Sequence, residues 1–250
     1  MAVRLFPEPK TWCTPFVLKN RSYQRYLYVD GKWHLIRLDS RRRSPSFDSK
    51  NLDWHQRMPD REHLTKWLRQ QTGINEDFRD YVREMLVVPT FSMCAAEALT
   101  KVFMRQIVTA RQARRMFSDF VEGFGYRKGD VVGFPPPERV QRLGSTDFRD
   151  IGLGFRAERL VKSLGRLKGF QVSNLTDLLE ADVPGIGPWS RAILAVESAR
   201  DYSHYPFEDK SGTAIRSLTG ANVAAVAHDD LQLAADVYVY GASYVESRRN

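Results

Sequence analysis

Cysteine is nearly absent: Cys13 and Cys94 are the two in 250 residues, enough for at most one disulfide and too few for an all-cysteine metal site. A zinc ribbon and an iron–sulfur cluster are thereby excluded, and the thiols read as reduced, intracellular groups. The five histidines (His34, His55, His63, His204, His228) show no metal-ligand spacing, so no catalytic metal is expected. No apolar run approaches the roughly 20 residues a membrane span requires. Residues 1–4 lack the charged-then-apolar pattern of a secretion signal. These absences predict a soluble protein of the cytoplasm or nucleus. No repeat or low-complexity segment stands out.

The residues present include a basic surplus, with net charge +8 and a pI near 9.6. That fits attraction to a polyanion, although solvated faces produce the same surplus. Hydrophobic residues make up 42 % and charged residues 27 %, enough for one large domain or two modest ones. In the N-terminal part, YLYVDGKWHLIRL reads as two β runs joined by Asp30-Gly31, a strong hairpin signal. The stretch 39–51, DSRRRSPSFDSKN, has few apolar anchors and reads as a surface loop.

Beyond Pro59 the pattern turns helical. Ala113, Met116, Phe117, Phe120, Val121 and Phe124 follow the three-and-four spacing of an amphipathic helix that stops at Gly125. Ala157, Leu160, Val161, Leu164 and Leu167 repeat the pattern up to Gly169. Further helices are predicted from Ser92 to Arg105, from Trp189 to Arg200 and from Asp229 to about Ser247, with two short ones between Pro135 and Asp150. The expected architecture is mostly α with an N-terminal antiparallel β part (α+β). Residues 1–58 would form the β-containing part, packed on a helical region of residues 59–250.

The stretch 174–197, NLTDLLEADVPGIGPWSRAILAVE, reads as helix, hairpin, helix. Asn174 can cap the first helix, residues 183–187 make a tight turn, and Pro188 suits the first turn of the second helix. Gly185, Ile186 and Gly187 let a ligand approach the backbone, and the next helix presents unpaired N–H groups and a positive dipole end, a natural seat for a DNA phosphate. A glycine-proline pair also serves simply to connect two packed helices.

Three ordered segments carry a resemblance. PGIGPWS (184–190), ALTKVFMRQIVTARQARRMFSDFVEGFG (98–125) and FPPPERVQRLGSTDFRDIGLGFRAERLVKSL (134–164) together resemble the helix-hairpin-helix DNA glycosylase superfamily, within it the 3-methyladenine DNA glycosylase II type. The resemblance spans residues 97–218 and places the helix-hairpin-helix at about 174–200. It implies a DNA-repair enzyme that flips a damaged, alkylated base out of duplex DNA, hydrolyses the N-glycosidic bond and leaves an abasic site.

By that resemblance Asp209, 24 positions beyond Gly185, is the catalytic carboxylate that stabilises an oxocarbenium-like transition state and orients water. Glu208 is its rival, and Asp209 is also suited to cap the helix beginning near Ser211. Members that nick the strand carry a lysine where Trp189 stands, so a monofunctional enzyme is implied, with Lys210 as a reserve amine. Trp189 would line the base pocket and stack on the flipped base, with Ile193 one turn on, where the bacterial alkylation enzyme has an aromatic. Gln106 and Ile107 occupy the turn that enters the gap left in the duplex: Ile107 as wedge, Gln106 against the orphaned base. Arg105, Arg111, Arg114, Arg115, Arg156, Arg159 and Lys162 are candidate phosphate contacts. No cofactor is implied beyond a structural monovalent cation at the hairpin carbonyls, and the partner is damaged double-stranded DNA bound by a monomer. The competing readings are a non-catalytic clamp and a bifunctional glycosylase/lyase acting on oxidised bases. The N-terminal aromatics Trp12, Tyr26 and Trp33 are open candidates for base contact.

Overall fold

The Asp30-Gly31 signal yields the hairpin it predicts. In the computed structural model, five strands come from the N-terminal part: β1 (Arg4–Pro7), β2 (Val17–Lys19), β3 (Ser22–Val29), β4 (Lys32–Asp39) and β5 (Ser46–Phe47). β3 and β4 pair antiparallel with Val29 opposite Lys32, and Gly31 takes a φ of 76° at the turn, the left-handed conformation such hairpins need. The structure describes residues 4–7, 17–19, 22–29, 31–39, 46–47, 59–88, 92, 94–167 and 183–248. Expectations for Trp12, Cys13, Gly169 and the helix preceding the glycine hairpin (174–182) lie outside these residues.

The loop expected over 39–51 contains a strand: Ser46 and Phe47 pair with Arg37 and Ile36 of β4. The helical region also returns three strands to the β part. β6 (Met85–Val88) runs parallel to β1, and the hairpin of β7 (Tyr126–Lys128) and β8 (Val131–Gly133) joins β3 at Tyr26 opposite Gly133. The larger sheet runs β5-β4-β3-β8-β7, with β2 also on β3. Aromatic contacts seal this junction. Trp33 stacks on Tyr126 with ring centroids 4.2 Å apart and Tyr26 meets Tyr126 edge-on at 5.0 Å, so these two N-terminal aromatics pack strand to strand.

Helices make up most of the remaining described chain: α1 (Arg61–Gln70), α2 (Glu76–Glu84), α3 (Ala95–Arg105), α4 (Ala110–Phe124), α5 (Pro137–Val140), α6 (Ser145–Asp150), α7 (Arg156–Arg166), α8 (Pro188–Ala199), α9 (Lys210–Thr219), α10 (Val223–Asp229) and α11 (Leu231–Ser247). The predicted stripe of α4 is buried from Ala113 to Val121, and Phe120 sits among Phe124, Phe134 and Phe148. Burial of each such side chain contributes about 1.5–3 kcal/mol. At the C-terminus the helix expected from Asp229 to about Ser247 is α11, which starts at Leu231 because the Asp230 carboxylate accepts from Leu233 N at 2.9 Å; the short α10 before it is an addition to the expected elements. Among the described residues no helix is long and apolar enough to cross a membrane.

α3 breaks the usual pattern of a buried helix. Every residue from Ala95 to Met104 is buried, Glu97 and Lys101 included. The side chain of Glu97 accepts from Arg25 on β3 at 3.0 and 3.1 Å, and Lys101 bridges Glu97 and Glu197 of α8 at 3.3 Å each. Arg105 completes the row, 3.2 Å from Glu197. Charges spaced four apart on α3 thus stitch the β part to α8, and deleting one partner from such a buried set costs about 3–5 kcal/mol.

Candidate active site

The glycine hairpin leads directly into α8. Gly185 has φ 78°, and a Cβ there would stand 3.3 Å from the Arg159 side chain and 3.4 Å from the Phe103 ring, so glycine is required for both conformation and space. Gly187 is the N-cap and Pro188 the first helical residue. The N–H groups of Gly187 and Trp189 donate to nothing among the described residues, and Gly185, Gly187 and Pro188 are exposed while Ile186 is half-buried. An open helix N-terminus with free donors binds anions. The hairpin carbonyls have internal partners: Val183 O accepts from Ile186 N, Pro184 O from Ser163 Oγ at 2.9 Å, and Gly185 O from Gln106 Nε2 at 3.0 Å.

Gln106 does more than fill a turn. Its amide donates to Gly185 O and, at 2.8 Å, to Ser190 Oγ, locking the turn between α3 and α4 to the start of α8. In the structure without DNA it is a strut between the turn and the start of α8. Ile107 next to it is 86 % exposed and has φ 57°. A β-branched residue in left-handed backbone is an outlier, and an isoleucine with almost no cover is unusual beside a well-packed core. Arg156 holds this turn from behind: it is buried and donates to Leu153 O at 3.1 Å, Phe103 O at 3.0 Å and Gln106 O. Burial pushes its pKa down.

The candidate phosphate contacts divide accordingly. Arg105 and Arg156 are committed inside the protein, and Arg114 pairs with Glu246 at 3.2 Å. Arg111, Arg115, Arg159 and Lys162 are exposed. Phe155, which the sequence did not single out, is 66 % exposed and lies beneath the Arg159 guanidinium, 5.9 Å from ring centroid. Because the Arg159 side chain lies where a Cβ on Gly185 would meet it and Arg156 reaches Gln106 O, Phe155 falls near the hairpin and the Ile107 turn. The sequence signal was available: an aromatic in the glycine-broken link GLGFRAERL.

Asp209 is the N-cap of α9. Its Oδ1 accepts from Ser211 N and Gly212 N, both at 2.8 Å, while Oδ2 accepts no hydrogen bond among the described residues. The capping role and an available carboxylate oxygen thus coexist on one half-buried side chain. Gly212 makes the geometry possible, since a Cβ there would fall 1.6 Å from Phe207 O. Behind the cap lies a buried aromatic box of Tyr202, Tyr205, Phe207 and Tyr238. The Tyr205 and Tyr238 hydroxyls are 2.7 Å apart. The Tyr238 phenol is pushed up to about 12 by burial first and by the negative charge of Asp209 next. Glu208 and Lys210 are exposed.

Trp189 is 42 % exposed at the mouth of a cleft of about 620 Å³ against the outer face of α8. Ile193, expected beside it in the pocket, is 1 % exposed and packs in the core. The helix turns it into the core, and the cleft is lined by Ala192 and Ala195 instead.

No family model matches the chain. The sequence is 22 % identical over 177 residues to a DNA-3-methyladenine glycosylase of Bacillus subtilis, a match covering 60 % of this chain and 58 % of that protein. Among solved structures, a 3-methyladenine DNA glycosylase from Archaeoglobus fulgidus aligns with TM-score 0.59 at 18 % identity, over 93 % of this chain and 90 % of that one. A Clostridium acetobutylicum 8-oxoguanine glycosylase/lyase, in complex with double-stranded DNA containing cytosine opposite 8-oxoguanine, aligns with TM-score 0.65 at 14 % identity, over 96 % and 90 %. The chain shares the fold of these DNA glycosylases.

Proposed function

We propose that the protein is a DNA glycosylase that hydrolyses the N-glycosidic bond of a damaged base in duplex DNA, by a monofunctional route. The observation that carries this reading is the exposed, left-handed Ile107, whose neighbour Gln106 ties the turn to the Gly185 carbonyl and the Ser190 hydroxyl of the glycine hairpin and α8. A phosphate clamp alone has no use for an apolar projection held at the expense of backbone strain; strain of this kind gathers at working sites. In this account phosphates sit on the N–H groups of Gly187 and Trp189, and Ile107 fills the gap left by the extruded nucleotide, offsetting part of an unstacking cost of a few kcal/mol.

The chemistry falls to Asp209. Oδ1 is spent on the cap, which fixes the rotamer, and Oδ2 is left to face positive charge developing on the sugar and to orient a water. Trp189 stands where a strand-nicking relative needs an amine, so water is the nucleophile. Lys210 is exposed beside Asp209 and serves better as a phosphate contact. Alkylated purines lead as substrates, on the Trp189 indole face and on the name of the Bacillus relative. The Clostridium neighbour, an 8-oxoguanine glycosylase/lyase, favours an alternative in which an amine attacks. Borohydride trapping separates the two, since a covalent adduct on a damaged duplex forms only by the amine route. The direct test incubates the protein with duplexes that each hold one lesion and scores breaks before and after hot alkali. Breaks that need alkali establish the monofunctional route and name the base; intact strands across the panel, with duplex binding preserved, leave a non-catalytic clamp.

A further inference from the structure

α1 stands outside residues 97–218, where the resemblance lies, and one face of it is left unused by the glycosylase reading. Between α1 and α2 runs a groove of about 310 Å³, lined by Arg61, Glu62, Thr65, Lys66, Arg69 and Arg83. Four cations face the single carboxylate of Glu62 there, a surplus of three positive charges. Arg61, Thr65 and Arg69 recur at four-residue spacing with Lys66 beside them, so they share one side of the helix, while Leu64 and Leu68 turn into the core. Arg83 gives one arm to Asp80. Arg61, Lys66 and Arg69 have no hydrogen bond or ion pair among the described residues, and the half-buried Arg61 has its Nη1 closed off from solvent without an acceptor. A cation so placed gains from any anion that comes close.

The layout selects the anion. A site for one phosphate converges on a point and draws on backbone N–H groups, but at the start of α1 Arg61 N donates to Pro59 O and His63 N to the Asp60 cap. Recognition here falls to side chains in a row. Arg61 and Arg69 are eight residues apart, about 12 Å along the helix, and one strand of a duplex carries a phosphate for about each 3.4 Å of its axis. The row therefore spans roughly three to four successive phosphates, with the Thr65 hydroxyl between the two arginines as a further donor. α1 packs on α2 and α11, whereas Gly185 of the hairpin lies against Arg159 of α7 and Phe103 of α3, so the groove is built by other elements than the hairpin.

We propose that the α1–α2 groove is a second seat for the phosphate backbone of duplex DNA, apart from the glycine hairpin, and that it holds the duplex by charge without regard to damage. The proposal rests on the glycosylase reading for its biological use, but an undamaged duplex tests it. A labelled duplex of this kind is titrated with the full chain at salt from about 0.05 to 0.2 M. Lys66→Ala/Arg69→Ala, at two exposed side chains, keeps Tm, lowers the log–log salt slope by about 0.9 for each cation removed, and weakens binding roughly thirtyfold near about 0.15 M salt. Lys66→Arg keeps the wild-type slope. Glu62→Gln, which removes the one opposing charge of the lining, tightens binding by up to about fivefold, an effect that loss of structure does not produce. An unchanged slope in the double variant overturns the proposal. So does inorganic phosphate that, at matched ionic strength, raises the Tm of wild type but not of the double variant while both keep the same duplex slope, since the groove then serves a free anion. The two readings fail separately. A lowered slope in a protein that cuts no lesion sinks the glycosylase reading and leaves the groove standing, and base release by a protein whose slope ignores Lys66 and Arg69 does the reverse.

Discussion

Replacing Ile107 with glycine should make the protein more stable and a worse enzyme at the same time. The side chain is 86 % exposed, so its removal forfeits little burial in the free protein. Its φ of 57° costs a non-glycine residue about 1–2 kcal/mol, and more for a β-branched one. Glycine relieves that strain and returns about 0.5–1 kcal/mol in unfolded-chain entropy. The net expected gain is up to about 1 kcal/mol, which for a chain of this size raises Tm by roughly 1–4 °C. Asparagine, which tolerates the left-handed region without the full entropy penalty, should gain at least as much. In the duplex the balance reverses. An isoleucine side chain covered on both sides by base pairs contributes about 1.5–3 kcal/mol, so kcat/KM on a lesion in paired DNA should drop roughly 10- to 100-fold, and far less on the same lesion in single-stranded DNA. Calorimetry on the two variants and single-turnover base release on paired and unpaired substrates read both effects. A fall in Tm, or equal losses on both substrates, would refute the wedge argument, because the first denies the strain and the second denies the gap.

The buried arginines and the exposed ones should separate cleanly. Arg156→Ala leaves the Phe103 and Gln106 carbonyls without their donor and should cost about 2–4 kcal/mol in urea unfolding, with the salt slope of duplex binding unchanged; Arg159→Ala or Lys162→Ala should keep Tm and flatten that slope by close to one unit each. Gly212→Ala would set a Cβ 1.6 Å from Phe207 O, forcing the start of α9 apart, so soluble protein should lose both Tm and base release; a neutral outcome would contradict the cap geometry. Asp236, buried and paired with Arg200, has its carboxyl raised to about 6, burial being the main cause. A raised acid binds protons more readily folded than unfolded, so this group costs stability as pH climbs from about 4 to 6. A carboxyl carbon titration by NMR should place its midpoint about two units above an ordinary aspartate, and a midpoint near 4 would refute the assignment.

Much of this fold was visible in the residues. The α4 stripe, the Asp30-Gly31 turn and the glycine hairpin each follow a local rule, and each sits where the rule puts it. The β7–β8 hairpin and its seat on β3 were not visible, because the pairing joins residues 126–133 to Tyr26 across about a hundred positions, and no local pattern encodes so distant a partner. Glu97 and Lys101 were opaque for a different reason: charged residues on a helix read as solvated, and only the arrival of Arg25 and Glu197 makes their burial tenable. At the candidate site the turn at Gly185 followed from residue type and spacing, whereas Asp209 and Ile107 were singled out by the family resemblance. The strut role of Gln106, the inward turn of Ile193 and the cleft beyond Trp189 depend on which face of a helix meets its neighbour, which a single sequence leaves open in so apolar a helix as α8.

The central claim is that Asp209 supplies charge to the glycosidic transition state as well as capping α9. Asp209→Asn tests it most directly, because asparagine caps a helix as well as aspartate does and removes only the negative charge. The measurement is single-turnover base release from the best substrate of the lesion panel, alongside thermal unfolding and duplex affinity. The account predicts a Tm within about 1 °C of wild type, unchanged affinity for the duplex, and a rate reduced by about two to three orders of magnitude. Base release at the wild-type rate by a folded, DNA-binding Asp209→Asn protein would contradict it, and would leave the aspartate a helix cap alone.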